Sequence, residues 1–137
     1  MKKVVFGLTV LLLMSFQCES DGPEGFWYIK NQTDNVLRVS GSGIMRLKNG
    51  GFVLPGDSVA IHHEMHTSAV SGPSFEDFSV VDNIRVYDYD NDVELQHWIR
   101  AESEPGRYDI FDESQWDHYV KFFFIWTFSI SNEDSGR

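Results

Sequence analysis

The sequence predicts an all-β protein, a single small immunoglobulin-like β-sandwich of about seven or eight antiparallel strands with one short helical turn, preceded by a lipoprotein signal peptide. Three observations predict this fold. Runs of β-branched and aromatic residues recur along the chain, clusters of turn-forming residues separate them, and the last run alternates in a way that indicates one buried face.

The N-terminal segment, residues 1–17, is built like a bacterial lipoprotein signal. Lysines precede the apolar run from Val4 to Phe16, which is shorter than the about 20 residues that a membrane-spanning helix needs. Cys18 follows and is the only cysteine of the chain. It is the predicted lipidation site, where a diacylglyceryl group on the sulfur would anchor the cleaved chain. Phe16 and Gln17 are larger than the residues of a typical lipobox, and the alternative is an ordinary secretory signal followed by a chance cysteine.

The segment after the cysteine is polar and acidic, which predicts a flexible tether over residues 18–25 and a β-sandwich domain over residues 26–137. Loss of Lys2 and Lys3 with the signal lowers the formal net charge from −10 to −12. Such a charge repels phosphate backbones, so the composition disfavours nucleic-acid binding and leaves cationic partners open. No sequence pattern calls for a cofactor.

The first half of the domain predicts two pairs of strands. Strands over 26–30 and 36–40 are joined by the turn formers Asn31 to Asn35, which predicts a hairpin. Strands over 51–54 and 58–63 flank Pro55-Gly56-Asp57, a sequence typical of a type II turn because glycine readily adopts a positive φ. Residues 67–79 carry scattered serine, glycine and phenylalanine without a period and predict a long loop.

The second half predicts a hairpin, a helical turn and a final strand. Strands over 83–88 and 93–99 flank a four-residue turn. Asp112 is placed to cap a short helical turn that ends at Trp116. The C-terminal strand is predicted to be central in its sheet and to turn its even-numbered residues towards the core, namely Phe122, Phe124, Trp126, Phe128 and Ile130.

The order of these segments resembles a family of small Bacteroides-type lipoproteins that contain β-sandwich domains. The resemblance is carried by Phe26-Trp27-Tyr28-Ile29-Lys30-Asn31, Leu54-Pro55-Gly56-Asp57-Ser58, Ile84-Arg85-Val86-Tyr87-Asp88, residues 110–116 and the end of the last strand. It implies a β-sandwich held at the cell outer membrane and brings no catalytic residue with it. The acidic segment after Cys18 also resembles the export tag of such lipoproteins, which implies a surface-exposed domain. The periplasmic face is the alternative.

The histidine-rich segment offers one candidate metal site. His62, Glu64 and His66 alternate, so on a regular strand they would share one face at about 7 Å per step, a spacing compatible with a shared metal ion. The zincin sequence His-Glu-x-x-His is absent. A solvated strand end is the simpler interpretation.

Two further candidates lie in predicted turns. Asp88, Asp90 and Asp92 alternate like the start of a calcium-binding loop, but the glycine and the glutamate of an EF-hand are missing at the required positions, so an acidic turn is the default. Asp57-Ser58-Val59 resembles the O-glycosylation signal of Bacteroides-type exported proteins and makes Ser58 a candidate glycosylation site.

No nucleophile elbow, phosphate-binding glycine loop or Cys-His pair is present in the sequence. We therefore expect a non-catalytic, lipid-anchored envelope protein that binds a glycan or a peptide or has a structural role. One alternative is an acidic protein that captures a cationic partner such as a basic lytic enzyme. A hydrolase or metal-dependent enzyme is the third.

Overall fold

A computed structural model of the chain describes residues 22–66, 71–106 and 108–134. The predicted signal peptide, Cys18 and the start of the predicted tether lie outside these residues. The described residues form eight strands: β1 (Glu24–Gln32), β2 (Leu37–Ser42), β3 (Phe52–Val53), β4 (Ser58–Met65), β5 (Asn83–Asp88), β6 (Val93–Ile99), β7 (Asp117–Val120) and β8 (Phe124–Ser131). Short 3-10 turns lie at Lys48–Gly51, Phe75–Val80, Arg100–Glu102 and Glu113–Gln115.

The strands form two four-stranded sheets, which confirms the predicted β-sandwich. Sheet I has the order β4-β1-β8-β7, and sheet II has the order β3-β2-β5-β6. The pairing is antiparallel except between β1 and β8, which run parallel from Gly25 opposite Phe124 to Gln32 opposite Ser131. The expectation of a purely antiparallel sandwich is therefore wrong for this central pair of strands. The prediction that the last strand is central in its sheet is confirmed.

The predicted hairpin at the start of the domain is wrong, because β1 and β2 belong to different sheets. The turn formers between them carry the chain across the sandwich. Asn31 is fully buried, and its side-chain amide donates hydrogen bonds to the carbonyl oxygens of Asn35 (2.8 Å) and Val53 (2.9 Å). Its oxygen accepts from the backbone N–H and the hydroxyl of Thr33. These bonds satisfy a buried polar group and hold the crossing in place.

Two local predictions are confirmed by the backbone geometry. Asp57 N–H donates to Leu54 C=O over 3.0 Å, and Gly56 between them has a φ of +82°, as a type II turn requires. The predicted hairpin over 83–88 and 93–99 forms with those bounds. The strands on either side of the type II turn, β3 and β4, lie in different sheets.

The core lies between the sheets and is rich in aromatic residues. Trp27 and Trp126 stack at its centre with ring centroids 4.4 Å apart and planes 8° apart. Asp112 caps the helical turn as predicted, since its carboxylate accepts from Ser114 N–H, and Trp116 packs into the core behind it. Other buried side chains include Ile29, Leu37, Val39, Ile61, Phe78, Ile84, Val86, Ile110 and Phe128.

The prediction for the C-terminal strand holds only in part. Trp126, Phe128 and Ile130 are buried and Phe124 is half-buried, but Phe122 is 80% exposed. The strand β8 begins at Phe124, so Phe122 belongs to the turn before it and has no sheet to pack against. The placement of Phe122 in the core is therefore wrong.

Two aromatic truncations from the same predicted face should consequently differ. Trp126→Ala removes a buried indole and should lower the free energy of unfolding by about 3 to 5 kcal/mol. Phe122→Ala removes an exposed ring and should change it by less than about 0.5 kcal/mol. Urea midpoints for the two variants and the wild type measure the difference. Equal losses in the two variants would contradict the described start of β8.

Candidate functional site

The predicted metal site at His62, Glu64 and His66 does not form. The pairing of β4 with β1 shifts register between Trp27 and Tyr28, and this β-bulge leaves both Ile61 and His62 buried. His62 Nε2 lies 3.7 Å from Glu64 Oε2, whereas His66 Nε2 lies 3.1 Å from Asp77 Oδ2. The described part of the chain contains no group of three His, Cys, Asp or Glu side chains that could hold a metal ion.

His62 is a buried histidine without a hydrogen bond at Nε2 in the described structure. Its ring packs beside Trp27, with the centroids 4.9 Å apart. Burial lowers the pKa of His62 from its ordinary value, and the nearby carboxylates of Glu64 and Asp77 offset this effect only in part. The fold therefore favours the neutral ring.

This burial predicts a loss of stability in acid. Because the unfolded chain protonates His62 more readily than the folded chain does, the contribution of the neutral ring is complete above a pH of about 6.5 and declines as the pH falls below it. Going from about pH 7.5 to about pH 5.5, the free energy of unfolding should fall more for the wild type than for His62→Gln. The exposed His97 on β6 supplies the control, and His97→Gln should keep the wild-type pH profile. Denaturant midpoints at the two pH values measure the effect. Parallel profiles for wild type and His62→Gln would contradict it.

The predicted calcium ligands serve as hydrogen-bond acceptors within the fold. Asp88 accepts from the side chains of Asn35 (2.7 Å) and Asn91 (2.8 Å), and Asp90 accepts from Val36 N–H over 2.8 Å. Burial alone would raise the pKa of Asp88, but the hydrogen bonds from Asn91 and Asn35 outweigh it and lower that pKa. These bonds fasten the β5–β6 turn to the crossing before β2, and the carboxylates of Asp88, Asp90 and Asp92 do not gather around a metal position in the described structure.

Of the two predicted modification sites, the described residues include only Ser58. Ser58 is the exposed first residue of β4, directly after the type II turn. Its accessibility meets one requirement of glycosylation, which stays a prediction. Cys18 lies outside the described residues, and its lipidation stays a prediction as well.

A cleft of about 500 Å³ lies where β3 and β4 border the sandwich. Its apolar walls include Tyr28, Phe52 and Met45. The polar and charged part of the lining consists of Arg46, Lys48, Asn49, Asp57 and Ser58. The chain between β2 and β3 passes along the outer edge of β4, where Met45 N–H donates to Ile61 C=O over 3.0 Å. This mixture of aromatic walls and a few polar groups is typical of ligand-binding clefts.

The cleft is locally basic in an acidic protein. No aspartate or glutamate occurs between Val36 and Gly56, whereas Arg38, Arg46 and Lys48 do. Within the described residues Arg46 and Lys48 have no ion-pair partner. Arg38 lies over the ring of Phe52, with its guanidinium carbon 5.6 Å from the ring centroid. Two unpaired cations beside aromatic walls favour an anionic ligand.

A second, more open groove of about 490 Å³ has the opposite charge. Glu76 and Glu113 line it together with Phe75, Phe124 and His118. His118 is stacked on Trp126, with centroids 4.5 Å apart and planes 3° apart. Carboxylates beside aromatic rings suit a cationic group.

The sequence interpretation missed both the cleft and the groove. The cleft is assembled from β1, β4 and the segment between β2 and β3, which no spacing rule brings together. The basic character of the cleft was nevertheless visible in the sequence, as a stretch without acidic residues in a chain that has 21 of them. The groove gave no such signal, because its two glutamates are far apart in the sequence.

Comparisons of the chain with protein-family models, with curated proteins and with solved structures gave no match in any of the three. No helix in the described part of the chain is long and apolar enough to cross a membrane.

Proposed function

We propose that the protein is a lipid-anchored component of the cell envelope that binds an acidic oligosaccharide, without catalysis, in the cleft beside β3 and β4. The observation that carries the proposal is a cleft of about 500 Å³ in which Arg46 and Lys48 lie next to Tyr28 and Phe52 and have no ion-pair partner among the described residues. The proposed location is the outer membrane, with the domain exposed at the cell surface. The signal peptide and Cys18 support the anchor, and the acidic segment after Cys18 supports the surface exposure.

The chemistry of the cleft suits a carboxylated sugar. The C–H-rich face of a pyranose ring is apolar and packs on aromatic side chains, while its carboxylate accepts charge-assisted hydrogen bonds from arginine and lysine. Asn49, Asp57 and Ser58 can exchange hydrogen bonds with hydroxyl groups. Each part of the ligand thus meets a matching part of the cleft.

An extended peptide fits this place less well. A peptide that adds a strand needs a free sheet edge with a run of unpaired backbone groups. At the cleft the edge of β4 is occupied where Met45 N–H donates to Ile61 C=O, and β3 has only two residues. A compact ligand is therefore favoured over a strand.

The anchor is tested by acylation in cells. Metabolic labelling with an alkyne fatty acid should tag the wild type, while Cys18→Ser should stay unlabelled and leave the membrane fraction or remain uncleaved, because the thioether is the proposed link to the bilayer. Equal labelling of both proteins would refute the anchor.

The ligand is tested with a matched pair of probes, an oligogalacturonate and its methyl ester, which differ in charge on one backbone. The acid should bind more tightly than the ester, and Arg46→Gln with Lys48→Gln should weaken binding of the acid about tenfold or more, as expected for loss of charge-assisted hydrogen bonds. Isothermal titration calorimetry measures both effects.

A charge-matched control comes from Arg85, an exposed arginine on β5 that does not line the cleft. Arg85→Gln should bind the acid like the wild type, whereas a loss equal to that of the cleft variants would indicate a general charge effect. Tyr28→Ala should weaken binding of the acid and of the ester alike. Binding of an acidic peptide in place of both sugars would change the assignment of the ligand.

The acidic groove supports a second candidate function, capture of a cationic partner. Glu76 and Glu113 beside Phe75 and Phe124 are the specific observation in its favour. A lysine-rich peptide should then bind the wild type and lose affinity in Glu113→Gln, while the cleft variants leave that binding unchanged.

A further inference from the structure

The turn between β7 and β8 exposes a contiguous apolar surface. Val120 is 51% exposed, Phe122 80% and Phe123 44%, and the preceding Tyr119 is 59% exposed. The one charge between them is Lys121, whose ammonium lies 5.3 Å from the centroid of the Phe122 ring. Exposed rings at a turn are costly to leave in water, so they indicate a contact surface.

The register of sheet I puts this turn at the end of the sandwich where the chain enters. Gly25 in β1 lies opposite Phe124 in β8, and Val120 in β7 lies opposite the same Phe124. The start of β1 and the apolar turn therefore lie at the same end of sheet I, on either side of the start of β8. A tether that keeps the start of β1 close to the bilayer therefore keeps this turn close to it as well.

Covalent geometry limits how far the turn can be from the proposed anchor. Five residues, from Glu19 to Pro23, separate Cys18 from Glu24 at the start of β1. Even fully extended, this length of chain spans only about 20 Å. An acylated Cys18 thus keeps the exposed rings within reach of the bilayer surface.

The opposite end of the sandwich also exposes an apolar side chain, Leu54, which is 55% exposed. Leu54 lies in the turn that Asp57 N–H closes on Leu54 C=O, so a carboxylate follows it three residues later. The segment from Tyr119 to Phe124 itself has no acidic residue. At the neighbouring start of β1, Glu24 lies 3.0 Å from His63 Nε2 and Glu64 lies 3.7 Å from His62 Nε2. Lysine can extend its stem and keep its ammonium among the headgroups while neighbouring rings enter the acyl boundary.

We propose that the β7–β8 turn, residues Val120 to Phe123, is seated in the interfacial region of the bilayer that carries the lipid on Cys18. The inference rests on the lipid anchor of the proposed function and adds a second membrane contact to it. Two contacts fix an orientation that a single tether leaves free. The sandwich then stands with β1 pointing away from the bilayer, and the cleft beside Ser58 faces outwards.

The test uses tryptophan emission from the mature, acylated protein, which begins at Cys18, in phosphatidylcholine vesicles. The four native tryptophans are at most 7% exposed, so they give a shielded background. Phe122→Trp should lose roughly half of its added emission when the vesicles contain brominated phosphatidylcholine, because an interfacial side chain lies about 5 to 10 Å into the headgroup and acyl boundary. Leu54→Trp, an exposed aliphatic residue at the opposite end, is the matched control and should not be quenched.

The possible results distinguish the proposed membrane contact of the turn from the proposed lipid anchor. An acylated protein that floats with vesicles but shows no quenching of Phe122→Trp overturns the seating of the turn and leaves the anchor standing. Equal quenching of Phe122→Trp and Leu54→Trp overturns it too, because the domain then has no preferred orientation. A chain without acyl label overturns the proposed function itself. If Phe122→Glu instead converts a dimer into a monomer by light scattering and the unmodified turn meets no lipid, the surface joins two copies of the chain and the inference is wrong.

Discussion

The parallel pairing of β1 with β8 is the constraint on which the rest of the structure depends. It brings the first and the last strand of the domain together at the centre of sheet I and sets Trp27 opposite Trp126, whose rings stack at 4.4 Å. Parallel strands cannot be joined by a tight turn, so the chain between β1 and β8 must cross the sandwich to return to the starting end of β1. The same pairing decides which loops meet at each end of the sandwich.

Elements that depend on neighbours in the sequence could be predicted. The type II turn at Pro55-Gly56, the β5–β6 hairpin and the cap by Asp112 are each decided within a few residues. The path of the segment after β1 could not be predicted, because the same turn-forming residues occur in hairpins and in crossings between sheets. In the structure the crossing is held by the side-chain amide of Asn31, which donates to the C=O of Val53, a residue from a distant part of the sequence. Phe122 was misplaced for a related reason: alternation continues in the sequence beyond the point where β8 begins.

The candidate sites illustrate the same division between local and distant interactions. Spacing put His62, Glu64 and His66 on one face of a regular strand, but β4 ends at Met65, so His66 lies beyond the strand. Glu64 stays beside His62, and His66 turns to Asp77 on the following 3-10 turn. The cleft escaped prediction because it is a property of packing between segments. Its basic character alone was visible, as a stretch of chain without acidic residues.

Charge and orientation act together in this molecule. A net charge of −10 for the whole chain would slow the approach of an anionic ligand at long range, but physiological salt screens that field beyond about 8 Å. Inside the cleft the nearest charges are Arg46, Lys48 and Asp57, so the local balance favours an anion once the ligand arrives. The cleft lies towards the end of β1 that is remote from Glu24, where the chain enters the sheet, since Ser58 is opposite Lys30. Lys30 is the seventh residue of β1, so at about 3.3 Å per residue it lies roughly 20 Å along the strand from Glu24, where the chain enters the sheet. A sandwich that rests on the β7–β8 turn would therefore hold its basic cleft clear of the anionic headgroups that would otherwise compete for it.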